Sequence, residues 1–173
     1  MPITMYSASV PVFVRMLGNV GQWLDKAEAH AAAKKFDPAV YLQARLAPDM
    51  LPLVKQIQIA CDAAKFCVAR VAGSEAPKFD DSETTFDELK ERIRKTLAYL
   101  ETVPASALDG TEDKEITFPV GREAKRTMTA QAYLTTWALP NFFFHVTTAY
   151  AILRHNGVDL GKSDYLVGAQ ARG

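Results

Sequence analysis

Asn141 and His145 are the residues of this 173-residue chain whose types and spacing are best suited to chemistry, in the run Pro140-Asn-Phe-Phe-Phe-His145. Four residues apart on a helix, they share one face at the separation of a His-x-x-x-His metal pair, with an amide in place of the first imidazole. An amide can hydrogen-bond a ligand, but zinc, nickel and iron favour nitrogen and sulfur donors. On the helical wheel Phe142, Val146, Ala149, Ile152 and Leu153 surround His145, while Thr147 and Arg154 lie opposite, so the imidazole faces inward. A buried neutral imidazole needs hydrogen-bond partners, and Asn141 or a facing tyrosine would supply one. Three roles stay open for His145: a structural histidine with its bonds met, a hydrogen-bonding or acid–base group in a ligand pocket, and a metal ligand.

The other titratable groups read as structural. His155 is ten residues further on, about 15 Å along the axis, too far to share a small ion with His145, and it suits the negative end of the helix dipole. His30 stands among alanines and lysines and is expected in solvent. Cys61 and Cys67 lie on one helix with side chains about 120° apart, so they cannot pair with each other and read as reduced packing residues. Asp80-Asp81 and Glu112-Asp113 fall in connections, where solvated acids are expected. No nucleophile-elbow, phosphate-loop, dinucleotide, zincin or EF-hand pattern occurs.

The elements that must position these residues are helical. Val10, Phe13, Val14, Leu17, Val20, Trp23 and Leu24 recur at three- and four-residue steps, predicting a long helix from about Met5 or Ser7 to Ala33. A short helix over 38–46 follows. Asp49 is expected to cap a second long helix, 50–72, with Leu53, Ile57, Ala60, Ala64, Val68 and Val71 inside, Lys55, Gln58, Asp62 and Lys65 opposite, and Gly73 closing it. Residues 74–82 form a turn-rich connection, and Thr84 or Thr85 caps a third helix, with Glu88 placed for a capping box. Ile116, Phe118 and Val120 alternate around a glycine turn and predict a short hairpin. A fourth helix begins near Thr129, is kinked or restarted by Pro140 and closes at Gly157, with a tail beyond. Phe142, Phe143 and Phe144, with Tyr133, Trp137 and Tyr150, exceed what one helix face can bury; they imply either packing against helix one or the hairpin, or a homodimer interface.

With 49% hydrophobic and 23% charged residues, the composition fits a packed core in one domain, 1–173. Twenty basic and twenty acidic residues cancel, so no global field favours nucleic acid or an anionic membrane. No signal-peptide pattern opens the chain and no membrane-spanning run occurs, so the expected location is the cytoplasm.

Four long helices, a hairpin before the last, and the closing Ala151-Ile-Leu-Arg-His-Asn-Gly-Val158 together resemble the DinB-like four-helix bundles. The opening Met5-Tyr-Ser-Ala-Ser-Val-Pro-Val-Phe-Val14 and the run Arg45-Leu-Ala-Pro-Asp-Met50 resemble the branch of that superfamily known only as a domain of unknown function. The resemblance covers nearly the whole chain. It implies an all-α, up-down four-helix bundle with a short helix after helix one and a small β-hairpin before helix four. In the wider superfamily, three histidines commonly hold a divalent metal, one from helix two and two from a His-x-x-x-His pair in helix four. Relatives there include thiol-dependent transferases and a mycothiol-dependent isomerase.

Matched from Leu153-Arg-His-Asn-Gly157, His145 falls on the second histidine of that pair and Asn141 on the first. Ile59-Ala-Cys-Asp-Ala-Ala-Lys-Phe66 falls on the helix-two pattern without a gap and puts Ile59 where a histidine would stand. The resemblance therefore implies a degenerate metal site. The expected ligand pocket is His145, Asn141, Asp62 and Gln56, with catalytic residues unassigned. No cofactor is expected; a divalent ion such as zinc or nickel, if bound, would use His145, Asp62 and Asn141. The expected function is small-molecule binding or divergent transferase chemistry, the alternative a metal-free, non-catalytic homodimer. Whether the chain is an enzyme is left open, and the expected partners are a second copy and a small molecule.

Overall fold

Apolar stripes at helical spacing build the bundle, and the computed structural model describes residues 2–121 and 123–168. Helix α1 spans Val10–Lys34 and buries Phe13, Leu17, Val20, Trp23 and Leu24, the residues its periodicity singles out. It starts later than the pattern suggests, because residues 5–9 form turns in which Ser9 Oγ donates to the Met5 carbonyl. Pro11 sits in the first turn, where its missing N–H costs nothing. A single 3₁₀ helix, Pro38–Gln43, replaces the short helix expected over 38–46.

Helix α2 is Leu53–Ala72 and α3 is Phe86–Glu101. Pro52, not Asp49, occupies the N-cap of α2 and offers no capping side chain; Gly73, at φ 73°, closes the helix in the left-handed region. At α3 the capping box forms as its spacing predicts, Thr85 accepting from the Glu88 N–H and Glu88 accepting from the Thr85 N–H. Strands β1 (Glu115–Val120) and β2 (Ala124–Thr129) pair antiparallel, with Ile116 and Phe118 turned into the core.

A continuous helical stretch follows: α4 (Ala130–Tyr133), a π-helical turn (Leu134–Ala138) and α5 (Leu139–His155). Pro140 is the physical reason for the π turn. It donates no hydrogen bond and its ring crowds the carbonyl one turn back, so the helix widens before it instead of breaking. The Thr135 and Thr136 hydroxyls also bond back to the Gln131 and Ala132 carbonyls, a pattern that bends helices. Beyond Gly157, the expected tail is a further short helix, α6 (Lys162–Leu166), laid on α1. Tyr165 stacks on Trp23 at 5.6 Å, Asn19 Nδ2 donates to the Tyr165 carbonyl at 2.8 Å, and Lys26 pairs with Asp164 at 2.7 Å.

α5 runs parallel to α1, with Phe142 edge-on to Phe13 at 4.8 Å and Tyr150 edge-on to Trp23 at 5.5 Å. It runs antiparallel to α2, its most extensive neighbour. The connection 74–85 lies back along α2, with Phe79 against Lys65, Asp81 at Lys55 and Glu83 at Gln58. That path corrects two sequence expectations. Gln58 and Lys65, placed on the polar side of α2, are 1% and 2% exposed, and Asp81 is tied to Arg92 at 3.0 Å instead of being free in solvent. Arg92 itself is buried on α3, contacting Asp62 (2.8 Å), Glu83 (2.9 Å) and the Asp80 carbonyl (3.2 Å). The Lys65 ammonium sits 4.1 Å from the Phe79 ring and 2.8 Å from Asp62.

Two buried cations among acids make this region sensitive to removing one partner. Arg92→Ala leaves the largely buried carboxylate of Glu83 without its cation, with only the Gln58 amide as partner, and is expected to lower unfolding free energy by roughly 3–5 kcal/mol. Asp81→Asn, at a half-exposed pair, is expected to cost less than about 1 kcal/mol. Urea denaturation of both variants measures the contrast; equal losses would mean the burial of Arg92 is immaterial.

Candidate functional site

His145 projects from α5 toward the first turn of α2 and is 8% exposed. Its Nδ1 lies 2.7 Å from Gln56 Oε1, and Gln56 Nε2 donates to the Leu51 carbonyl at 2.9 Å. The second bond fixes the amide orientation, so Oε1 can only accept and the proton sits on His145 Nδ1. Nε2 is then the lone-pair nitrogen, without a hydrogen-bond partner among the described residues. Burial pushes the imidazole pKa below its ordinary value, which keeps the ring neutral. The partner of the inward imidazole is therefore Gln56, in place of Asn141 or a tyrosine.

Asp62 and Asn141 lie elsewhere. Both line a cleft of about 250 Å³ between α2, the π turn with α5, and the hairpin, together with Ile59, Ala63, Phe66, Arg70, Pro119, Val120, Gly121, Tyr133, Trp137 and Ala138. Neither His145 nor Gln56 is part of that lining. The four residues expected as one pocket thus form a buried His145–Gln56 pair and two separate cleft residues. Asp62 Oδ1 takes both Lys65 and Arg92, and the Asn141 amide has no hydrogen-bond partner among the described residues.

The cleft also holds functional candidates that sequence reasoning missed. Arg70 Nη1 donates to the Tyr133 hydroxyl at 2.8 Å, and its guanidinium stands 5.1 Å from the Phe66 ring centroid. Burial pushes the Tyr133 hydroxyl pKa up, so it stays a neutral phenol and does not cancel the Arg70 charge. No carboxylate pairs with Arg70 among the described residues. Trp137, on the π turn, packs on Phe118 at 5.2 Å and closes one wall. The available signal was the stripe Tyr133, Trp137, Asn141 at four-residue steps, one arc of a helix.

The cleft includes Ile59 and Asn141, the positions where the resemblance implies metal ligands. The donors do not fit a transition metal: Ile59 has no donor atom, Asn141 offers an amide, Asp62 already balances two cations, and His145, although its Nε2 carries the lone pair, lies outside the cleft lining. No group of three His, Cys, Asp or Glu residues among the described residues is arranged to hold a metal ion. Cys61 and Cys67 are wholly buried and unpaired, and burial pushes both thiols up to about 12, so neither supplies a thiolate. His30, expected in solvent, is half-buried with Nδ1 2.5 Å from the Tyr41 hydroxyl. His155 is exposed in the last turn of α5.

A larger hollow, about 500 Å³, opens over α3 and the 74–85 connection. Its polar rim is largely engaged already: Glu91 holds Arg94 and Lys95, Glu88 caps α3, and Arg92 is in the ion-pair network. No helix of the described residues is long and apolar enough to cross a membrane.

Comparison with known proteins agrees with the fold. A family model described as Domain of unknown function (DUF1993) matches residues 5–166. A crystal structure of a DinB family member protein from Shewanella denitrificans is 46% identical, with 93% of this chain and 90% of that chain covered and a TM-score of 0.86. No curated protein matches the sequence.

The depressed His145 pKa has a consequence for stability. The unfolded chain takes a proton near pH 6.5 and the buried imidazole only at lower pH, so stability held above that value is lost as pH falls toward the folded pKa. His145→Gln removes this titration. Melting temperature from pH 7.5 to 5.5 is expected to fall more steeply for the wild type than for the variant; parallel curves would mean the imidazole is already solvated.

Proposed function

The chain belongs to the DUF1993 family and is a DinB-like protein, and on that footing we propose that its α2–α5–hairpin cleft binds a small organic molecule without a resident transition metal. The observation that carries the reading is the pairing of aromatic walls, Phe66 and Trp137, with polar groups whose capacity the protein leaves unused, the Arg70 guanidinium and the Asn141 amide. Apolar clefts with a few convergent polar groups are the usual form of small-molecule sites. Binding is favoured over divergent transferase chemistry because both thiols are buried and His145 lies outside the cleft lining. The degenerate donor set supports the metal-free form of the reading.

The test is a fragment screen on the full chain by ligand-observed and ¹H–¹⁵N NMR. Binding fragments are expected to shift the Trp137 indole signal and to lose affinity by about tenfold or more in Ile59→Trp, which fills the cleft. Elemental analysis of the same protein, purified without chelator or affinity tag, is expected to show zinc and nickel far below one ion per chain. Fragments that bind only away from Trp137, or stoichiometric metal, would sink the reading.

A homodimer is a second reading, favoured by Phe144 at 57% and Leu51 at 47% exposed on the side of the His145–Gln56 pair. Sedimentation equilibrium is expected to give a dimer for the wild type and a monomer for Phe144→Lys with an unchanged circular dichroism spectrum. A monomeric wild type at high micromolar concentration disposes of it.

A further inference from the structure

We infer that the cleft takes a two-ended ligand of defined orientation: a carboxylate held by Arg70 beside Tyr133, a flat apolar body along Trp137 and Phe66, and a neutral hydrogen-bonding group at Asp62 and Asn141. The inference rests on the cleft reading above and adds the ligand's chemical class and its direction.

Orientation follows from the antiparallel pairing of α2 and α5. Arg70 meets Tyr133 at one end and Gln56 meets His145 beyond the other. Asp62 and Asn141 fall between those contacts, and Asp62 and Arg70 are eight residues apart on α2, roughly 12 Å along its axis. The cleft is thus cationic at one end and amide- and carboxylate-edged at the other.

The cationic end selects an anion with two coplanar oxygens. Tyr133 occupies Nη1 of Arg70, which leaves Nε and Nη2, the side-on pair that holds both oxygens of a carboxylate. Phe66, Phe118 and Tyr133 lie 5.1, 5.8 and 5.9 Å from the guanidinium, so aromatic rings surround the cation, and no acid among the described residues pairs with it. At the opposite end the Asp62 charge is already balanced by Lys65 and Arg92 through Oδ1. Oδ2 has no partner among the described residues and remains an acceptor, and the Asn141 amide in the same lining can both donate and accept. This end suits a neutral hydroxyl or amine hydrogen more than a second full charge. A volume near 250 Å³ limits the body to about one substituted aromatic ring.

The probe is 3-(4-hydroxyphenyl)propionate, compared with its carboxamide and with 3-phenylpropionate, each titrated into the full chain by calorimetry while the Trp137 indole signal is followed. The wild type is expected to bind the acid about tenfold or more tighter than the amide. Arg70→Met should erase that preference, and Arg70→Lys, which keeps the charge but not the fork, should retain part of it. The hydroxyl should improve binding several-fold in the wild type and not in Asn141→Leu. Equal binding of acid and amide by the wild type, or a preference that survives in Arg70→Met, overturns the orientation while the cleft reading stands. If none of the three probes binds, the inferred ligand class falls, and the cleft reading is judged by the fragment screen alone.

Discussion

The register of α5 against α2 is the constraint from which the rest of the site follows. Two hydrogen bonds between side chains fix it, Gln56 with His145 at one level and Arg70 with Tyr133 at the other. Between them α2 presents Ile59 and Ala63 while the widened helix presents Trp137, Ala138 and Asn141. Two alanines opposite one another, within a contact pinned at both ends, leave room that larger residues would fill. The hairpin then roofs the gap with Pro119, Val120 and Gly121. Slipping α5 by one residue would turn His145 out of its pairing and rotate Asn141 off the cleft, since each step along a helix turns the side chain by about 100°.

Pro140 contributes to the same geometry. A proline well inside a helix would normally kink or end it, and here the ladder shifts to π spacing over Leu134–Ala138. Widened turns of this kind recur at functional sites, because they change the direction of side chains without ending the helix. The residues re-aimed here include Trp137 and Ala138, both in the cleft lining.

Much of the fold was legible because it depends on local pattern. The apolar stripes of α1 and α2, the Thr85–Glu88 capping box and the alternation of Ile116 and Phe118 are each written within a few residues. The inward aim of His145 was legible for the same reason. Its partner was not assigned, because the pairing with Gln56 depends on how two distant helices are offset. Lys65 and Gln58 show the same limit more sharply: a helical wheel assigns them to solvent, and only the path of residues 74–85 buries them. Arg70 stands in the last turn of α2, where basic residues suit the dipole, and nothing in the local sequence sets it apart. Its significance comes from Tyr133, 63 residues away in sequence.

The residues at the positions where the resemblance implies metal ligands leave the cleft with a different chemistry. Ile59 contributes hydrocarbon wall, and Asn141 contributes an amide that neither titrates nor demands a cation. Three imidazoles around an ion would make the centre of such a cleft its most charged point. Here the centre is apolar and aromatic, and the charges sit at its ends, Arg70 without a paired acid among the described residues and Asp62 balanced by Lys65 and Arg92. Under the proposed reading, that distribution would select a ligand by its length and terminal groups instead of by what it can donate to a metal. The Lys65–Asp62–Arg92 cluster that holds the 74–85 connection also pairs the Asp62 carboxylate with two cations at the rim of an apolar cleft, where an isolated one would be costly.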